Sequence, residues 1–253
     1  MKKLILITLA SLALSLSSCN ELLQIANTMG NPDIPVSEAE NAAGLKSSLD
    51  VGIENAVNIL GIENGFMNDV LVKILLPAEA KPIIDNIRLI PGGEELVNRA
   101  ILSLNRTAED AVKEATPIFK HAITSITFKD AAGILFGGDY AATSYLKEKT
   151  SADLLAAFAP KVKNSLGKPL VANLSTTQSW NALTSAFNKV AASPVGIYGG
   201  LKPVNVNLEE YVTQKALDAL FLKVGEEEKK IRENPVARIT AILKRVFGQL
   251  DKK

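Results

Sequence analysis

The chain has 253 residues, with 28 Lys and Arg against 27 Asp and Glu, so its formal net charge is +1. A near-neutral chain argues against nucleic-acid binding, which needs a concentrated basic face to neutralise phosphates. It also lacks a polybasic run that would hold it on a lipid surface. If the N-terminal segment with Lys2 and Lys3 is removed, the formal net charge falls to about −1.

The N-terminus has the parts of a bacterial lipoprotein signal. Lys2 and Lys3 precede a thirteen-residue apolar stretch, Leu4 to Leu16, and the run from Leu16 to Cys19 resembles a lipobox. A lipobox cysteine is acylated, with palmitate among its lipids, and the chain is cut before it. We therefore predict a signal peptide over residues 1–18 and a membrane anchor at Cys19, the only cysteine.

Two other interpretations of this segment are weaker. A membrane-spanning helix needs about 20 apolar residues, more than this stretch offers before Asn20. An ordinary secretory signal cut at Ser17 or Ser18 stays open. Asn20, in the second mature position, favours the outer membrane facing the periplasm. With Cys19 acylated no thiol remains for a disulfide, so packing alone must stabilise the domain.

Beyond the signal we predict a lipidated tether over residues 19–36 and one all-α domain of roughly eight to ten helices over residues 37–253. The tether contains the proline-restricted run from Asn31 to Pro35, and Ser37 with Glu40 forms a capping box where the domain begins. Apolar periodicity and breakers predict helices over 37–60, 77–90, 94–126, 128–136, 139–149, 151–166, 177–191, 207–233 and 235–248.

Three further sequence features bear on this helical prediction. Pro117 lies inside the longest one and should kink or break it. The apolar segment 62–76 is too irregular to assign and fits a short strand or a buried loop, and residues 193–206 form a breaker-rich loop. Alanine pairs favour close helix packing, with a cavity for an apolar ligand as the alternative; these pairs are residues 42–43, 131–132, 141–142, 156–157 and 191–192.

Several short motifs are spread over about residues 44–248. They are Asn105-Arg106, Ala108-Glu109, Thr127-Phe128, Asp130-Ala131, Ala141-Ala142-Thr143, Tyr145, Lys149-Thr150, Tyr211-Val212-Thr213, Leu220-Phe221, Glu227-Glu228, Ile231-Arg232, Asn234-Pro235, Ala237-Arg238 and Val246-Phe247-Gly248. In these motifs the chain resembles the bacterial domain of unknown function 4197 (DUF4197) family. The resemblance implies an exported, helical protein and supplies no activity.

Catalytic chemistry has little support in the sequence. His121 is the only histidine, so imidazole or thiolate metal sites are not expected, and a Ser-His-Asp relay has no accompanying nucleophile elbow. No phosphate-binding glycine motif occurs, and we expect no cofactor. A pair of carboxylates for glycan cleavage stays open, because their separation cannot be read from sequence.

Four polar residues form a candidate network. Glu228 lies between apolar turns of a predicted helix, so it either marks the edge of the core or is buried with a partner, for which Arg238 is the nearest arginine on the adjoining helix. Asn105 and Glu109 flank the apolar seam of the longest helix and either turn inward or stay exposed.

The function that fits best is a lipid-anchored binding or scaffold module for an apolar ligand or an envelope protein. The alternative is a carboxylate-dependent hydrolase of an envelope polymer.

Overall fold

The computed structural model describes residues 34–252, and in this range the chain is built from α-helices without a strand, which confirms the all-α prediction. The predicted signal peptide, Cys19 and the tether before Ile34 lie outside the described residues. The helices are α1 (Glu38–Leu60), α2 (Lys81–Asp85), α3 (Gly93–Val112), α4 (Ala115–Ser125), α5 (Ala131–Leu135), α6 (Ala141–Gly167), α7 (Thr176–Ala191), α8 (Pro194–Tyr198), α9 (Leu208–Glu233) and α10 (Ala241–Phe247).

Helix α9 occupies the centre of the fold. It packs most extensively against α1 and α6 and also contacts α3. Because it is surrounded, 13 of its 26 residues are buried, including Leu220 and Val224. Helix α1 carries α4, α5 and α10 along its length, and α7 covers α3 on the other side. The core is therefore one continuous layer of side chains around α9.

Helix α1 begins as predicted, because the Ser37 hydroxyl accepts the Glu40 backbone N–H and the Glu40 carboxylate accepts the Ser37 N–H. Two glycines on this helix let neighbouring helices approach closely. A Cβ on Gly44 would lie 2.6 Å from the Val246 side chain of α10, and one on Gly52 would lie 3.1 Å from Val224 of α9. A Cβ at Gly44 therefore requires a shift of α10, whereas one at Gly52 requires only a small adjustment of Val224.

The predicted break at Pro117 is confirmed, and the structure locates it just before the proline. Helix α3 ends at Val112 and α4 starts at Ala115, so Pro117 falls in the first turn of α4. A first-turn residue needs no N–H for helix bonding, and proline is tolerated there. This break divides the predicted 94–126 helix into two independently packed helices.

The predicted boundary between residues 149 and 151 is wrong, because α6 runs unbroken from Ala141 to Gly167. The hydroxyls of Thr150 and Ser151 donate to the carbonyls of Leu146 and Lys147, one turn earlier. Such back-bonding lets polar residues remain inside a helix instead of ending it.

Three other segments differ from or refine the expectation. Residues 77–90 form α2 flanked by 3-10 turns at Ala78–Ala80 and Ile87–Leu89, not one helix. Segment 62–76 is a chain of turns without a strand. The breaker-rich loop contains the short helix α8, and the last predicted helix is divided into a 3-10 turn at Pro235–Ala237 and α10.

The close crossing of α1 and α10 gives a stability prediction. Gly44→Ala should lower the free energy of unfolding by about 1–2 kcal/mol, because overpacking outweighs the higher helix propensity of alanine. Denaturant unfolding measures it. Gly167→Ala is the matched control in α6: its Cβ meets nothing within 4 Å, so it should be neutral or slightly stabilising. A loss in Gly44→Ala no larger than that in Gly167→Ala would contradict the steric explanation.

Candidate ligand-binding groove and buried polar networks

An elongated groove of about 910 Å³ lies between α4 and α6, a volume within the usual range for small-molecule sites, about 300–1,000 Å³. Residues four apart on each helix form its walls. It is lined by Pro117, Ile118, His121, Ala122 and Ser125 of α4, by Ile126, Thr127 and Lys129 of the connection, and by Tyr145, Lys149, Thr150, Asp153, Leu154 and Ala157 of α6. Small side chains such as Ala122 and Ala157 leave the space between the two helices unfilled.

Three hydroxyl groups along the groove donate to the backbone. Ser125 donates to the carbonyl of His121, and Thr150 donates to that of Leu146. Tyr145 donates to the carbonyl of Thr127 at 2.9 Å, and its ring packs against Phe128 with centroids 5.2 Å apart. With these donors used internally, the walls offer mainly carbon surface to a ligand.

The charged groups of the groove are two lysines and one acid. Lys149 lies over the Tyr145 ring, 5.4 Å from its centroid, and donates to Glu148 at 2.6 Å. Lys129 and Asp153 are exposed and take part in no ion pair within the described part of the chain. The hydrogen bond from Lys149 to Glu148 raises the pKa of Lys149, so this side chain is cationic at neutral pH.

Glu228 does not line this groove. It is completely buried in α9 and caps the N-terminus of α6. Its carboxylate accepts the backbone N–H groups of Ala142 at 2.9 Å and Thr143 at 2.7 Å, and also the Thr143 hydroxyl. Helix α6 has no side-chain cap of its own, since its N-cap residue is Tyr140. A carboxylate from α9 thus takes the capping position, where it also meets the positive end of the α6 dipole.

The predicted pairing of Glu228 with Arg238 is wrong, because the partner is Arg232, one turn further along α9. Arg232 donates to Glu228 through Nε at 2.9 Å and Nη2 at 2.7 Å. Its remaining donors reach the carbonyls of Leu135 and Ile134 at the end of α5. A partner at spacing i,i+4 satisfies the buried acid within one helix, without requiring the next one.

Arg238 stabilises the end of α9 instead. It donates to the carbonyls of Ile231 and Arg232, and it pairs with Asp251 near the C-terminus at 2.5 and 2.9 Å. Last-turn carbonyls have no partner inside a helix, so a cation there fills their hydrogen bonds and complements the dipole. Arg238 connects to Glu228 through Arg232, and both arginines are buried.

Asn105 and Glu109 turn inward and form a separate network around the 62–76 segment. Asn105 accepts the N–H of Ile74 at 2.9 Å and donates to its carbonyl at 2.8 Å. Glu109 accepts from the N–H groups of Phe66 and Met67. Arg106 closes the network by donating to Glu109, Glu63 and Asn64. These side chains supply hydrogen-bond partners to the buried residues Phe66 and Ile74, whose backbone lies in an irregular segment without helix or sheet bonds.

Sequence reasoning named the polar residues that hold backbone ends and missed most residues of the groove. The signal available was the spacing of Tyr145, Lys149, Asp153 and Ala157, four apart on one face. This spacing was missed because the predicted helix boundary at residue 150 separated Tyr145 and Lys149 from Asp153 and Ala157. Ala157 belongs to a doubled alanine for which a ligand cavity was the alternative interpretation, whereas Ala131, Ala142 and Ala191 are buried in close packing.

The groove contains the residue types of a Ser-His-Asp relay without its contacts. Ser125 donates to the backbone of His121, not to the imidazole, and Asp153 lies on the opposite wall. Within residues 34–252, no cluster of three or more His, Cys, Asp or Glu is placed to hold a metal. Over the same range, no helix has both the length and the apolar character needed to cross a membrane.

Comparison with known proteins identifies a family. The family model described as "Protein of unknown function (DUF4197)" matches residues 35–248, which is most of the chain. The chain belongs to this family. The DUF4197 match extends from just before α1 to just after α10, so it includes the groove and both polar networks. No curated protein and no solved structure matches the chain.

The buried acid gives a stability prediction for this DUF4197 domain. Glu228→Ala leaves Arg232 buried without its counter-charge and uncaps α6, so it should cost about 3–5 kcal/mol of unfolding free energy. Denaturant unfolding of the Glu228 and Arg232 single and double alanine variants should give a coupling above about 1 kcal/mol. Glu226→Ala, at an exposed acid of the same helix, should change stability by no more than about 0.5 kcal/mol. Stronger coupling of Glu228 to Arg238 than to Arg232 would contradict this assignment.

Proposed function

We propose that the protein is a lipid-anchored binding module of the bacterial cell envelope, attached through Cys19 to the outer membrane and facing the periplasm. Its ligand is a single-chain lipid whose hydrocarbon tail lies in the groove between α4 and α6. The observation that carries the proposal is the groove itself: a long trough with carbon-rich walls, in which Ser125, Thr150 and Tyr145 have already committed their donors to the backbone.

The shape of the groove favours an extended chain over a compact ring system. Its walls are successive residues of two neighbouring helices, Pro117 to Ser125 on one and Tyr145 to Ala157 on the other. Those runs cover about two and a half and more than three helical turns, so the trough follows the helices. An alkyl chain can lie along such a trough and exchange water for apolar contact over its whole length.

The alternative of a carboxylate-dependent hydrolase gains no support from this site. Cleavage by paired acids needs two carboxyl groups separated by about 5–10 Å around the bond to be broken. Asp153 is the only acid among the fourteen residues that line the groove. A binding role needs no such pair and requires only the apolar surface that lines the groove.

The tail-binding prediction rests on two neighbouring alanines of α6. Ala157 lines the groove and Ala156 does not, and both side chains are exposed, so tryptophan at either position leaves the core intact. In the mature chain carrying Cys19→Ser, we expect the neutral dye N-phenyl-naphthylamine to gain fluorescence on binding and to be displaced by decanol. Ala157→Trp should weaken decanol binding at least about tenfold, which is about 1.4 kcal/mol.

Ala156→Trp is the matched control and should bind decanol as the unsubstituted chain does. Equal loss in both variants would mean that the effect is not specific to the groove. Failure of decanol to displace the dye from the unsubstituted chain would reject tail binding in the groove.

The anchoring prediction concerns Cys19. Cys19→Ser should move the protein from the membrane fraction to the soluble fraction of the cells, because the acyl chains are the expected attachment. Fractionation followed by a high-salt wash measures the distribution. Retention of the variant in washed membranes would show that another feature holds the protein there.

A further inference from the structure

We infer that the ligand of the groove is a single-chain carboxylate, a fatty acid, whose head group pairs with Lys129 and Lys149. This inference rests on the proposed function and adds the chemistry of the head group to it. Charge complementarity carries it, because the groove combines an apolar trough with two cationic side chains. Among the described residues that line it, a single anion, Asp153, opposes them.

The two lysines have hydrogen-bonding capacity left for a ligand. Lys149 is held in place by the Tyr145 ring and by one hydrogen bond to Glu148, and an ammonium group has three donors. Lys129 follows Phe128, whose ring packs on Tyr145, so it projects from the same end of the trough. It forms no ion pair with a described residue. A carboxylate at this end meets both cations.

The charge balance favours a monoanion. Lys149 is already paired with Glu148, and Lys129 is the cation lining the groove that has no ion pair with a described residue, so one positive charge is left for a ligand. A fatty acid carboxylate carries one negative charge. A phosphate monoester carries about 1.5 to 2 negative charges at the same pH and meets stronger repulsion from Asp153. The carboxylate is therefore the better match, and alkyl phosphates test the choice.

The experiment uses the mature chain with Cys19→Ser and four amphiphiles with the same tail: decanoate, decanol, decyltrimethylammonium and decyl phosphate. Each displaces N-phenyl-naphthylamine at neutral pH and low ionic strength, below its micelle concentration. We expect decanoate to bind about five- to tenfold more tightly than decanol and decyltrimethylammonium, and at least as tightly as decyl phosphate. Added salt should reduce the preference, because the charges are exposed.

Substitutions test whether Lys129 and Lys149 cause the preference for decanoate. Lys129→Met with Lys149→Met should abolish the preference for decanoate over decanol. Lys163→Met with Lys189→Met, which removes two exposed cations outside the groove, is the charge-matched control and should keep the preference. Asp153→Asn should tighten decanoate binding about two- to fivefold by removing the opposing charge.

The outcomes separate this inference from the proposed function. Equal affinity for decanoate, decanol and decyltrimethylammonium would overturn the head-group inference and leave tail binding standing. Tighter binding of decyl phosphate than of decanoate would overturn the carboxylate assignment. A preference that survives in the double lysine variant would overturn the role of these two residues. No displacement by any amphiphile would reject the groove as a lipid site.

Discussion

A fully buried carboxylate is the constraint around which this fold is arranged. Removing a charge from water costs several kcal/mol unless a counter-charge and hydrogen bonds replace the solvent. Glu228 obtains both, from Arg232 on its own helix and from the first N–H groups of α6. Because those N–H groups have no other partner in the helix, the acid and the helix end satisfy each other. The central helix α9 thereby fixes where α6 begins.

The same arrangement holds the short helix α5 at both ends. Five residues are too few for a helix to be stable by itself. The Glu38 carboxylate of α1 accepts the N–H groups of Ala131 and Ala132, and Arg232 of α9 donates to the carbonyls of Ile134 and Leu135. An anion at the N-terminus and a cation at the C-terminus both oppose the helix dipole. Since α5 connects the two walls of the groove, these contacts also determine where the groove lies.

The helices were predictable where the local signals were strong, and the tertiary partners were not. The capping box at Ser37 and the cap at Asn207 marked the starts of α1 and α9, because a capping side chain bonds to a backbone N–H only three residues away in sequence. The pairing of Glu228 was missed although Arg232 stands at spacing i,i+4 on the same helix, because Arg238 is also near in sequence and the spacing alone does not show which arginine is buried with the acid. The continuity of α6 past Thr150 was missed for a related reason, because its hydroxyl bonds back into the helix and does not cap a new one.

The structure separates the residues that hold the fold from those that form the groove. Glu228, Arg232, Arg238, Asn105 and Glu109 are buried, and each has its hydrogen bonds directed at helix ends or irregular backbone. The charged residues that line the groove, Lys129, Lys149 and Asp153, are exposed. Substitutions at exposed positions outside such networks generally change stability by less than about 0.5 kcal/mol. The charged residues of the groove can therefore be altered while the buried networks keep α4, α5 and α6 in place, so the proposed ligand preference can change without a change of fold.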